Sequence, residues 1–127
     1  MLEEIIVAVD DRPGILAEVG ELLGRSRVNI ETLSAFSHQG TARIHLIVDD
    51  GEEAGEVLTS NGFKVETMRA VMTATLDDRP GELGSYCRRL ADAGVTISGA
   101  YLARREAGES ELIFAVDDLE AAKAVSE

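Results

Sequence analysis

Five consecutive residues, Asp10-Asp11-Arg12-Pro13-Gly14, return residue for residue as Asp77-Asp78-Arg79-Pro80-Gly81, and both prolines of the protein lie in these two copies. Each copy follows a short apolar run and precedes a pattern of helical period. One supersecondary unit is therefore used twice.

The residues on either side say what the repeated segment is. Ile5-Ile6-Val7-Ala8-Val9 and Val71-Met72-Thr73-Ala74-Thr75-Leu76 read as buried strands, being short, apolar and partly β-branched. Proline restricts Arg12 and Arg79 to extended conformations and itself suits the first helical position. The segment is thus an elbow between a strand and a helix. The first turn of such a helix leaves N–H groups without intrahelical partners at the positive end of a dipole, and Gly14 or Gly81 permits close approach. A carboxylate or phosphate can sit there. The paired aspartates repel a phosphate but can hold an ammonium, so a zwitterion such as a free α-amino acid suits the elbow better. A purely structural reading stands beside this one, since Asp also caps helices and Pro-Gly also makes turns.

Past the first elbow, Ile15, Leu16, Val19, Leu22 and Leu23 form one helix face, and Gly24 is a helix stop. Val28 to Phe36, the turn residues Ser37-His38-Gln39-Gly40 and the alternating Thr41 to Val48 make a hairpin. Asp49-Asp50-Gly51 opens a second helix with Ala54, Val57 and Leu58. Asn61-Gly62 closes it before a strand from Phe63 to Thr67. The order is βαββαβ.

Displaced by 67 residues, from Asp10 to Asp77, the second copy supplies Leu83, Tyr86, Cys87, Leu90 and Ala91 as a helix face, Gly94 as stop, and Val95-Thr96-Ile97 against Val28-Asn29-Ile30. One extra residue, assigned to the turn Arg104 to Ser110, brings Val48-Asp49-Asp50 onto Val116-Asp117-Asp118, and Leu119 to Val125 matches the second helix. The expected fold class is α+β: two ferredoxin-like units in tandem, residues 1–69 and 70–127, each an antiparallel sheet with helices on one face, the second without its last strand.

Composition narrows the function. A net charge of −12 opposes nucleic acid and anionic membranes, both of which need a basic footprint. No run reaches the roughly 18 apolar residues of a membrane span. The acidic start Met1-Leu2-Glu3-Glu4 is unlike a signal peptide, and the single cysteine, Cys87, points to a reducing cytoplasm.

The strand, the Asp-Arg-Pro-Gly elbow, the helix, the Gly-x-x-x-Val-Asn-Ile strand start and the returning hairpin together resemble the ACT domain. The whole chain resembles small free-standing tandem ACT proteins. This resemblance implies a regulatory module that binds an amino acid between one unit's elbow and another unit's second strand, with no catalytic residues and no cofactor. Carried over, one candidate site has Asp11, Arg12, Gly14 and Ile15 facing Thr96 and Ile97. The other has Asp78, Arg79, Gly81 and Glu82 facing Asn29 and Ile30. Asn29 fits a family position whose amide contacts the ligand, as an amide both donates and accepts. Thr96 does not fit it, and Glu82 places a carboxylate where an incoming one would sit. Two unequal sites are expected, the first elbow being the better seat.

Pairing the units of one chain through their second strands meets a geometric difficulty. The ends to be joined would lie on the order of 30 Å apart at a strand spacing of about 4.8 Å. Met68-Arg69-Ala70 spans only about 10 Å. Phe63 to Leu76 is therefore expected to be one extended strand, straight or bent, shared between units, leaving an open sheet edge in unit two and a homodimer as its consequence.

Other residues carry less. His38 and His45 lack partners at metal spacing, and Ser37-His38 is too unspecific for a triad. Cys87 lies on an apolar helix face, and Arg104-Arg105 is expected to pair with Glu106 and Glu109. Three functions remain open: an amino-acid sensor, a regulatory subunit of an amino-acid-metabolic enzyme without its own ligand, and an enzyme. The last has the least support, because acyl-phosphate chemistry needs a basic cradle that aspartate-rich elbows do not offer.

Overall fold

The computed structural model describes residues 1–126. The first unit runs β1 (Glu3–Asp10), α1 (Ile15–Arg25), β2 (Ile30–His38), β3 (Thr41–Val48), α2 (Gly51–Ser60) and β4 (Lys64–Ala70). The second runs β5 (Met72–Asp77), α3 (Glu82–Asp92), β6 (Ile97–Glu106), β7 (Glu109–Val116) and α4 (Leu119–Ser126). The chain divides between Ala70 and Val71. The fold is α+β, with βαββαβ order in the first unit and the same order short of its last strand in the second.

The first sheet has the antiparallel order β2-β3-β1-β4 and the second β5-β7-β6. The alternation seen in the sequence is the alternation of faces. Ile5, Val7 and Val9 of β1 and Ala42, Ile44, Leu46 and Val48 of β3 bury against Val19 and Leu23 of α1 and Ala54 and Leu58 of α2. In the second unit Met72, Ala74, Leu112 and Phe114 pack on Tyr86, Leu90 and Ala122. Each such large apolar side chain is worth roughly 1.5–3 kcal/mol of burial. Cys87 packs partly buried against this second core.

Four local expectations are corrected. Gly24 lies inside α1 and does not stop it; the left-handed residue is Arg27, at φ 61°, one position beyond the cap Ser26. Gly94, at φ 77°, does follow the end of α3. Pro13 and Pro80 are not first helical residues, because the helices begin at Ile15 and Glu82, each capped by a glycine. The extra residue of the second unit is not in the hairpin turn: both turns have two left-handed residues, Gln39-Gly40 and Ala107-Gly108, as a type I′ hairpin requires. The extra residue is taken up between Leu102 and Arg104, a register shift with no equivalent in β2. Finally, the extended run expected over Phe63 to Leu76 is divided. Its strands β4 and β5 are separated at Val71 because they belong to different ladders, β4 to β1 and β5 to β7.

Candidate functional site: the two elbows

Each elbow is a tight turn closed by its own backbone. Ile15 N–H donates to Arg12 O at 3.3 Å, with Gly14 at φ 86° and ψ −4°. Glu82 N–H donates to Arg79 O at 3.2 Å, with Gly81 at φ 89° and ψ −15°. Both are type II turns, with proline at the second position and glycine at the third, where φ must be positive. A Cβ on either glycine would meet nothing within 4 Å, so the requirement is conformational. The elbows are pinned to their hairpin turns in matching ways. Asp11 N–H donates to Gly40 O at 3.2 Å and Asp78 N–H to Gly108 O at 2.9 Å.

The elbow aspartates do not cap the helices that follow. The N-caps of α1 and α3 make no side-chain hydrogen bond. The second helix of each unit is capped conventionally: Asp50 accepts from Glu53 N–H at 3.1 Å and Asp118 from Ala121 N–H at 3.0 Å. The first turns of α1 and α3, behind glycine N-caps, are therefore helix starts whose N–H groups no side chain caps and to which an anion can be drawn.

The arginines fold back over those starts. Arg12 pairs with Glu18 at 2.9 Å. Arg79 is held more tightly, by Glu82 at 2.6 Å and Asp77 at 3.1 Å. The Glu82 hydrogen bond, then the charges of Glu82 and Asp77, raise the Arg79 guanidinium above its ordinary pKa. Arg105 reaches Asp78 at 3.5 Å and Arg104 reaches Glu111 at 3.8 Å, so these two arginines pair with other carboxylates than the expected Glu106 and Glu109.

Within each unit the structure brings the elbow residues together and holds the strand-start residues apart from them. Asp10 lies opposite Thr41, at one end of the β1–β3 ladder, whereas Ile30 lies opposite Val48, itself opposite Glu3, at the other end. The seven steps along β3 between those ends span about 23 Å. Asp11, Arg12, Gly14 and Ile15 therefore form one cluster at the elbow, and Asn29 and Ile30 lie at the far end of the same sheet. Asp78, Arg79, Gly81 and Glu82 are separated in the same way from Thr96 and Ile97, for Asp77 lies opposite Glu109 and Ile97 opposite Val116. Asn29 is exposed, with its side-chain amide donating to Glu31 at 2.8 Å.

Beside the first elbow is a groove of about 480 Å³, which sequence reading did not anticipate. Arg12, Ile15 and Phe63 line it with Asp10, Glu18, Arg43, Lys64 and Glu66. Its formal charges cancel, three acidic against three basic, on a chain of net charge −12. Arg43 is tied to Glu66 at 2.6 Å. The groove needs β4 for one wall, and no described strand of the second unit corresponds to β4. Alternation in β3 puts Arg43 opposite the core face, but its place beside Lys64 follows from a strand order that adjacent sequence does not reveal. Among the described residues no group of side chains could hold a metal ion, and no helix is long and apolar enough to cross a membrane.

Residues 4–66 match the ACT domain family. A search of curated proteins returns no match. Among solved structures, a protein from Bacteroides thetaiotaomicron is similar over 97% of this chain and 84% of its own, at TM-score 0.83 and 21% identity. The ligand-free regulatory subunit of aspartate kinase from Thermus thermophilus is similar over 98% and 87%, at 0.74 and 17%. The corresponding subunit from Thermus flavus is similar over 98% and 90%, at 0.72 and 18%. These likenesses establish a shared fold along nearly the whole chain.

Proposed function

The chain belongs to the ACT-domain family through its first unit, and on that premise we propose that it is a small-molecule-binding regulatory protein that senses a free amino acid. The observation that carries this reading is the absence of a side-chain cap at α1 and α3, against the aspartate caps of α2 and α4. A ligand carboxylate completes the first turn of the helix, and Asp10 or Asp11 takes the ammonium. The charge-balanced groove beside the first elbow suits a zwitterion for the same reason. We assign the carboxylate seat to Arg12, Gly14 and Ile15 in the first unit and to Arg79 and Gly81 in the second, with Glu82 weakening the latter. Asn29, Ile30, Thr96 and Ile97 complete a site only where the start of one unit's second strand meets another unit's elbow. A homodimer is the expected working form, and a cytoplasmic location agrees with the single cysteine.

A second reading, a regulatory subunit that acts on an amino-acid-metabolic enzyme without a ligand of its own, draws on two of the similar structures being regulatory subunits of aspartate kinase. A thermal-shift screen of the twenty amino acids at millimolar concentration separates the two. Stabilisation by one or a few is expected; stabilisation by none favours the second reading, which co-purification with an enzyme then tests.

A further inference from the structure

We infer that the groove beside the first elbow is a ligand site in its own right and takes a short free peptide, a dipeptide zwitterion, with its ammonium at Asp10 and its carboxylate at Lys64. The groove is built within the first unit alone. It uses neither a helix start nor another unit's second strand, so it goes beyond the amino-acid seats proposed above, and it leaves Asp11 to the ligand of the elbow.

Strand β1 outruns one of its neighbours here. Its ladder with β3 continues to Asp10 opposite Thr41, whereas its ladder with β4 ends at Ala8 opposite Lys64. Phe63 has already left the sheet, its N–H donating to Leu58 O of α2 at 3.0 Å. Backbone groups of successive strand residues point to opposite sides of the strand. Asp11 N–H donates to Gly40 O on the β3 side, so the N–H and C=O of Asp10 point to the β4 side, beyond the end of that ladder. A main-chain donor and acceptor thus open on the groove. An extended peptide residue, with its own C=O and N–H, is their complement.

The charges give the ligand its length and direction. Arg12 is engaged by Glu18 and Arg43 by Glu66, whereas Asp10 and Lys64 line the groove exposed and without an ion pair among the described residues. Lys64 lies opposite Ala8, two residues or about 7 Å back from Asp10 along β1. One extended residue spans about 3.5 Å and two span about 7 Å, so a dipeptide matches this spacing and a free amino acid falls short of it. A strand laid antiparallel to β1, in line with β4, runs from Asp10 towards Lys64. Its N-terminus then meets the carboxylate and its C-terminus the ammonium, so strand direction and charge agree. Ile15 and Phe63 line the groove and pack against the first core, which gives a ligand side chain an apolar wall.

Isothermal titration of this chain with Leu-Leu tests the site. One Leu-Leu per chain is expected, with free leucine displacing it at least about tenfold less effectively. D10N and K64M should each weaken Leu-Leu about tenfold, the loss of one charge-assisted contact, with unchanged circular dichroism spectra. N-acetyl-Leu-Leu lacks the ammonium and should bind the wild type as weakly as Leu-Leu binds D10N, with D10N costing it nothing further. Leu-Leu amide should behave in the same way with K64M. No saturable binding at millimolar Leu-Leu overturns the site. Binding that neither variant weakens overturns the groove, a loss on N-acetylation that adds to that of D10N overturns the orientation, and leucine competing as well as Leu-Leu overturns the argument from span. The amino-acid reading is tested separately by repeating the thermal-shift screen on K64M, which keeps both elbows.

Discussion

Asn29 and Asp49 hold each other by two hydrogen bonds: Asn29 N–H donates to Asp49 Oδ1 at 3.0 Å, and Asp49 N–H donates to Asn29 O at 3.3 Å. The second unit repeats the clamp with Thr96 and Asp117, at 2.9 and 3.1 Å. The side chain at position 29 or 96 takes no part in it, which is why Asn and Thr can exchange there while the aspartate recurs. Asp49→Ala and Asp117→Ala should each destabilise the protein by about 1–2 kcal/mol, since each leaves a backbone donor without its charged acceptor. Urea unfolding followed by circular dichroism measures this. Asn29→Ala, which keeps both clamp bonds, should change stability by less than about 0.5 kcal/mol.

The glycines divide into two kinds, and alanine substitution should separate them by sign. Gly14 and Gly81 occupy the positive-φ position of their turns, so Gly14→Ala and Gly81→Ala should each cost about 1–2 kcal/mol although there is room for the methyl group. Gly24 is a helical residue with open space where a methyl group would stand, and Gly24→Ala should stabilise by about 0.5–1 kcal/mol. Thermal denaturation of the three variants under one condition checks the order.

Glu4 is fully buried and pairs with Arg69 at 2.7 Å, while Arg43 and Glu66 pair at 2.6 Å in a more exposed position. The shorter bond is the weaker contributor, because a surface pair is screened by water and a buried carboxylate is not. Arg69→Met should cost about 2–3 kcal/mol and Arg43→Met less than about 1 kcal/mol. Chemical denaturation of the two variants decides it, and an equal loss would contradict the argument.

What the sequence disclosed, and what it hid, follows from the range of each interaction. Period and turn chemistry are local, so the elbows, the aspartate starts of α2 and α4, the Asn61-Gly62 stop and the paired hairpins could all be read from adjacent residues. The Gly24 stop failed for a local reason too: glycine is permitted at positive φ but not confined to it, and Arg27 takes that conformation here. The position of the extra residue could not be read, because a one-residue insertion looks the same in a turn and in a bulge until a partner strand fixes the register. The groove beside the first elbow was invisible because Arg43 and Lys64 both lie opposite Ala8 only once β3 and β4 flank β1.

The difference between the elbows gives the last prediction, which rests on their proposed role as carboxylate seats. Ile15 follows Gly14 where Glu82 follows Gly81, and Glu82 occupies Arg79 at 2.6 Å beside the start of α3, which no side chain caps. A ligand carboxylate at that start meets a like charge and an arginine already engaged. Because the Glu82 hydrogen bond raises the Arg79 pKa from an already basic value, the guanidinium stays charged at any ordinary working pH. Titration of Arg79 therefore cannot account for a difference between the sites. Glu82→Ala removes the competing carboxylate and leaves Asp77 as the remaining partner of Arg79. Isothermal titration with the amino acid found by thermal shift should show one stronger site per chain in the wild type. In the variant the weaker site should tighten about fivefold to tenfold, the effect of roughly 1 kcal/mol at a helix start. Unchanged affinity at both sites would remove Glu82 from the account of why the two elbows differ.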